Sequence, residues 1–151
     1  YVVEKVKSLS DFVDGITISG GEPTIHPELP EIVRKLRETV PVKLDTNGYQ
    51  PDVLRTLIEE NLLAGVSMDV KAPLNSSHYS QVVSHPIDIA VIKRSIQLIL
   101  ESGIWYEFRT TVVPDYLKDA DIETIKQQLA TLAGGALQRP LKLQKYKAPE
   151  Q

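Results

Sequence analysis

The chain has 151 residues, 42% of them hydrophobic and 25% charged, which suits one globular domain with a sizeable core. Its 17 basic and 20 acidic residues give a formal charge of -3 without long blocks of one sign, which excludes a broad electrostatic attraction to nucleic acid or to an anionic membrane. Cysteine is absent, so these residues form no disulfide and supply no thiolate to a metal or cluster.

No apolar run approaches the ~20 residues of a membrane span, and YVVEKVKSLS lacks the plan of a secretory signal, so a cytoplasmic location is expected. The chain starts at Tyr1 and enters an amphipathic pattern at once, which reads as a piece of a longer chain. The stretch through Leu9, Phe12 and Val13 is expected to be a helix leading into a first β-rich run, Gly15 to Ser19. Leu29, Ile32, Val33, Leu36 and Val40 then recur at helical spacing behind Pro27 and Glu28, which suit a helix start. A second run, Val42 to Thr46, precedes a helix that places Leu54, Leu57, Ile58 and Leu62 on one face after Pro51 and Asp52.

The third run is Val66 to Val70, and Pro73 to Asp88 reads as a long irregular segment of the sort kept for functional loops. A helix through Ile92, Ile96, Ile99 and Leu100 stops at Gly103, a residue suited to a left-handed cap. The fourth run, Trp105 to Val113, is followed by a helix through Ile122, Ile125, Leu129 and Leu132 that ends at Gly134 and Gly135; Leu141 to Tyr146 is the fifth run. Runs alternating with helices, without two-residue hairpin turns, predict an α/β fold with a parallel sheet. Five strands are too few for a closed eight-stranded barrel and fit a partial barrel or an open doubly wound sheet.

In such folds ligands bind at the carboxyl ends of the strands. Those ends read Ser19-Gly20-Gly21-Glu22-Pro23, Asp45-Thr46-Asn47-Gly48, Asp69-Val70-Lys71, Arg109-Thr110-Thr111 and Gln144-Lys145-Tyr146-Lys147-Ala148-Pro149, while Glu101 to Ile104 and Ala133 to Pro140 at the opposite end show no comparable charged set. Gly20 and Gly21 let backbone groups approach a ligand, and Glu22 suits an ammonium; a tight strand-to-helix turn explains the same residues. Asp45 and Asp69 close neighbouring strands and suit ribose hydroxyls or a cation, although Asp69 is also placed to pair with Lys71. Asn47 and Gly48 fit an Asx turn, and Arg109 offers a planar fork to a carboxylate. His26, His78 and His85 lack metal-ligand spacing, His26 being placed to shape the loop after Pro23; Trp105, Tyr106 and Phe108 read as packing residues.

Taken together and in order, Ser19-Gly20-Gly21-Glu22-Pro23-Thr24, Asp45-Thr46-Asn47-Gly48 and Asp69-Val70-Lys71 resemble the motifs of radical S-adenosylmethionine (SAM) enzymes. Glu107 to Pro114 and Leu143-Gln144-Lys145-Tyr146 resemble the activating proteins of anaerobic ribonucleoside-triphosphate reductase, a group of glycyl-radical-enzyme activating enzymes. The resemblance implies a partial (βα)6 TIM-like barrel in which residues 1–151 form a single radical SAM domain, the second to sixth βα units. The first strand and its Cys-x3-Cys-x2-Cys loop for a [4Fe-4S] cluster would then be missing from these residues, which would be inactive alone and hold no catalytic residue.

By the same resemblance Gly20, Gly21 and Glu22 hold the methionine amino group of S-adenosylmethionine, with Asn47 on the same rim. Asp45 and Asp69 serve its ribose, or with Thr46 a nearby monovalent cation, and Lys71 and Arg109 serve its carboxylate or the surrounding hydrogen bonds. The intact protein would generate a 5′-deoxyadenosyl radical and abstract hydrogen from a glycine of a partner glycyl radical enzyme, with flavodoxin or ferredoxin as electron donor. Activation of pyruvate formate-lyase, a 7-carboxy-7-deazaguanine synthase-like activity and a non-catalytic adenosyl-binding module are the alternatives.

Overall fold

The computed structural model describes residues 1–147; Ala148 and Pro149, assigned above to the fifth strand end, lie outside them. The order is α1 (Val2–Lys7), β1 (Ile16–Ile18), α2 (Leu29–Arg37), β2 (Val42–Thr46), α3 (Pro51–Glu59), β3 (Gly65–Asp69), α4 (Ser76–Val83), α5 (Ile89–Glu101), β4 (Trp105–Val112), α6 (Asp119–Leu132) and β5 (Lys142–Lys145). The five strands form one parallel sheet whose spatial order is β1-β2-β3-β4-β5. Chain order and spatial order coincide, as in a barrel wound in one direction, whereas a doubly wound sheet reverses at a switch point. The fold is therefore an α/β partial barrel.

Side chains alternate across the sheet because successive residues of a strand point to opposite faces. Val42 and Leu44, Val66 and Met68, and Tyr106 and Phe108 face the helices and are at most 5% exposed. The intervening residues, Lys43 and Asp45, Ser67 and Asp69, and Glu107 and Arg109, share the inner face. Strand register sets them in rows, with Asp45 beside Ser67 and Ser67 beside Glu107, then Asp69 beside Arg109 one step nearer the strand ends.

Two expectations need correction. Pro73 to Asp88 is not irregular throughout, because it contains α4: Asn75 caps that helix by accepting the His78 N–H at 2.8 Å, and Tyr79 is buried beneath it. Asn75 followed by Tyr79, Val82 and Val83 is a short helix signal with only one turn of apolar spacing, too brief to register as periodicity. The first helix is Val2–Lys7 rather than the stretch through Leu9, Phe12 and Val13, which holds a 3-10 turn at Ser10–Phe12 with the Phe12 ring exposed. No helix among the described residues is long and apolar enough to cross a membrane.

Candidate functional site at the strand ends

After β1 the chain turns through Gly20 and Gly21, whose φ angles of +90° and +55° lie in the region that L side chains avoid. A Cβ at either glycine would meet open space, so the backbone conformation, not crowding within the fold, calls for glycine. Glu22 caps the 3-10 turn Pro23–Ile25 by accepting the Thr24 N–H at 3.2 Å and the Thr24 hydroxyl at 2.5 Å. The same Oε1 accepts the Thr46 hydroxyl at 2.7 Å, and Oε2 accepts the Asn47 N–H at 2.7 Å. Glu22 thereby joins the ends of β1 and β2, and Oε2 keeps capacity for a further donor.

At the end of β2, Asn47 Oδ1 accepts the Tyr49 N–H at 3.0 Å, the Asx turn read from the sequence. Gly48 follows at φ +77°, where a Cβ would run into the thioether methyl of Met68. Its carbonyl accepts the hydroxyl of fully buried Ser95, from α5, at 2.6 Å. Ser95 carries a sequence signal that the apolar reading passed over: it occupies an inward position beside Ile92, Ile96 and Ile99.

Arg109 organises the middle of the rim. Its Nη1 lies 3.1 Å from Asp45 Oδ2, and its Nε and Nη2 lie 3.2 and 3.1 Å from Asp69 Oδ1. Burial works against the charged guanidinium, yet Asp69 first and then Asp45 outweigh it and hold the Arg109 pKa above its ordinary value. Lys43 pairs with Asp45 at 3.1 Å and Lys71 with Asp69 at 3.5 Å, so two carboxylates face three cations. Lys71 is the most exposed of the three, 38% against 30% for Lys43 and 16% for Arg109, and its pairing is the longest. It is the cation most available to an incoming anion.

These groups line a cavity of about 200 Å³ that brings together Ser19, Gly21, Glu22, Asp45, Thr46, Asn47, Asp69, Lys71 and Arg109. Gly20 stands apart and lines a cleft along β1 instead. A second cavity of about 250 Å³ shares Asp69 and Lys71 with the first and continues along Val82, Thr111, Val113 and Tyr146. Burial, and behind it the Glu22 carboxylate, raises the pKa of Tyr49 at the rim. His85 meets the Tyr49 ring edge-on with centroids 5.8 Å apart, His78 Nε2 is 3.2 Å from the Tyr116 carbonyl, and the His26 N–H closes the turn on the Pro23 carbonyl. Among the described residues, no group of three or more His, Asp or Glu side chains converges as a metal-ligand set.

Fold and rim define an α/β partial barrel with a cavity of paired charges at the carboxyl ends of its strands, and comparison with known proteins makes the class specific. The model of the Radical SAM superfamily matches residues 1–129, and the chain belongs to that superfamily. It is 39% identical over 120 residues to a Methanocaldococcus jannaschii protein described as a glycyl-radical enzyme activating enzyme, a match covering 76% of this chain and 49% of that protein. It is 28% identical over 107 residues to a Methanococcus aeolicus protein described as a GTP 3′,8-cyclase, covering 67% of this chain and 35% of the other. The chain thus spans about half the length of the first relative and about a third of the second.

Among solved structures, a domain of a pyruvate-formate lyase-activating enzyme from Bacteroides vulgatus superposes with a TM-score of 0.66 at 21% identity, over 82% of this chain and 76% of that one. An archaeal TYW1 superposes with a TM-score of 0.59 at 18% identity, over 87% and 48% respectively. Both share the fold.

Proposed function

We propose that the strand-end cavities hold S-adenosylmethionine and that the intact protein is a cytoplasmic radical SAM activating enzyme. Its partner would be a glycyl radical enzyme, in the finer reading anaerobic ribonucleoside-triphosphate reductase, with flavodoxin or ferredoxin as electron donor. The observation that carries the reading is the pairing of two adjoining cavities of different character. The first offers Glu22 to an ammonium, the Lys71 ammonium to a carboxylate, and Asp45 and Asp69 to hydroxyls. The second offers Val82, Val113 and the Tyr146 ring to a flat heterocycle. S-Adenosylmethionine has these parts in this order.

The residues present therefore fit this cofactor, which when bound supplies the adenosyl group for hydrogen abstraction. They do not fit an iron–sulfur cluster, since none of these 151 residues is a cysteine. What these residues do is bind and orient: Glu22 fixes two loops against each other, Arg109 fixes the two carboxylates, and Lys71 remains free to turn toward the ligand. The resemblance of Glu107 to Pro114 and Leu143 to Tyr146, with the M. jannaschii relative, favours the activating-enzyme reading. A monovalent cation beside Asp45, Thr46 and Asp69 would share its carboxylates with Arg109.

Binding of S-adenosylmethionine to the full-length, cluster-bearing protein tests the assignment. Lys71→Ala is expected to weaken binding about tenfold, the worth of one charge-assisted hydrogen bond, and to lower 5′-deoxyadenosine formation. Arg55→Ala, on the exposed surface of α3, should change neither. Equal affinity and cleavage for wild type and Lys71→Ala would remove Lys71 from the site.

A further inference from the structure

Two residues past the end of β3 the chain leaves the sheet at Lys71, whose backbone N–H bonds no strand. The Val70 N–H still reaches the Arg109 carbonyl at 2.8 Å, and the Thr110 hydroxyl donates to the Val70 carbonyl at 2.6 Å. One residue on, the Lys71 N–H donates instead to the phenolic oxygen of Tyr79 at 3.1 Å. Tyr79 is fully buried, and that burial pushes its pKa well above that of an ordinary tyrosine, so the phenol keeps its proton and remains a neutral partner.

The helix that carries Tyr79 is itself tied down at several points. Asn75 caps it, His78 Nε2 lies 3.2 Å from the Tyr116 carbonyl, and the Ser80 hydroxyl accepts the Ile87 N–H at 2.9 Å. Val82, three residues beyond Tyr79 and on the same side of α4, walls the second cavity. One helix face thus sets both the origin of the Lys71 side chain and a wall of the neighbouring cavity. The Lys71 ammonium, by contrast, is held only at 3.5 Å by Asp69. Its backbone is fixed while its charge is loose, the arrangement required of a group that swings onto a ligand.

We infer that Tyr79 is a positioning residue: its hydroxyl fixes the Lys71 backbone so that the ammonium meets the ligand's carboxylate, which rests on the assignment of the cavities to S-adenosylmethionine. Tyr79→Phe removes only the hydroxyl and preserves the buried ring. Tyr106→Phe is the matched control, because the buried Tyr106 hydroxyl accepts a backbone N–H, that of Gln138, at 3.1 Å away from the rim.

In the full-length protein, Tyr79→Phe should speed hydrogen exchange of the Lys71 amide about fivefold and raise the dissociation constant for S-adenosylmethionine by about the same factor, the worth of one neutral hydrogen bond. Tyr106→Phe should leave both unchanged. In a Lys71→Ala background, Tyr79→Phe should alter affinity less than about twofold, because its effect passes through Lys71. Unchanged Lys71 exchange in Tyr79→Phe, or a full additive loss in the double variant, overturns the inference. A wild type that binds no S-adenosylmethionine overturns the site assignment itself, and with it Tyr79's purpose, even where exchange responds.

Discussion

The two faces of the three central strands, β2, β3 and β4, have opposite chemistry. On the helix side, Val42, Leu44, Val66, Met68, Tyr106 and Phe108 form a closed apolar layer. One residue out of phase, Lys43, Asp45, Asp69, Glu107 and Arg109 form a layer of charge held in ion pairs. The first layer gains free energy from burial and tolerates no ligand; the second gains little net stability from its pairs, since desolvation offsets attraction, yet it presents directed charge. The strands therefore separate stability from chemistry by alternation alone, and a one-residue change of register would exchange them.

Substitutions on the two faces sharpen that contrast. The largest loss of stability is expected from Phe108→Ala on the helix side, about 3 to 5 kcal/mol for a buried ring packed against Tyr106, with ligand affinity in the remaining folded protein little changed. Arg109→Met on the inner face should cost about 3 kcal/mol, because it leaves Asp45 and Asp69 close together without their shared partner, and it should abolish ligand binding as well. Chemical denaturation and calorimetry separate the two outcomes. If Phe108→Ala loses affinity while remaining folded, the division between faces is wrong.

A smaller effect comes from the phenols between α4 and the rim. Burial raises the pKa of both Tyr79 and Tyr49 above the ordinary value of 10.0, so the folded state holds those protons more tightly than the unfolded chain. That contribution is complete below pH 10 and is lost as pH rises from there through the folded values. For Tyr79 the loss approaches about 1.4 kcal/mol per pH unit. Denaturation between pH 9 and 11 should show this fall, reduced in Tyr79→Phe; a pH-independent stability would contradict it.

Much of this was legible in the sequence, and for identifiable reasons. Parallel topology followed from β-rich runs spaced by amphipathic helices, and the strand-end rule placed Gly21, Asp45, Asp69, Lys71 and Arg109 on one rim, where the structure gathers them, whereas Gly20 lines a separate cleft. Partial barrel and open sheet share that pattern; the motif resemblance pointed to the barrel, and the order of strands in space bears it out. The partners within the rim were not legible either: nothing local in the sequence indicates that Glu22 reaches Thr46 or that one guanidinium spans Asp45 and Asp69. Tyr79 and Ser95 were hidden by their surroundings, a helix too short for periodicity in the first case and an apolar helix face around a polar group in the second.

Amide NMR of the full-length protein titrated with S-adenosylmethionine tests the central assignment most directly, because it reads both ends of the barrel at once. The amides of Gly21, Asn47 and Lys71 should shift, and those of Glu101 to Ile104 at the opposite end should stay in place. Shifts confined to that opposite end, or to the cleft along Ile16 and Ile18, would contradict the assignment of the strand-end cavities to this ligand.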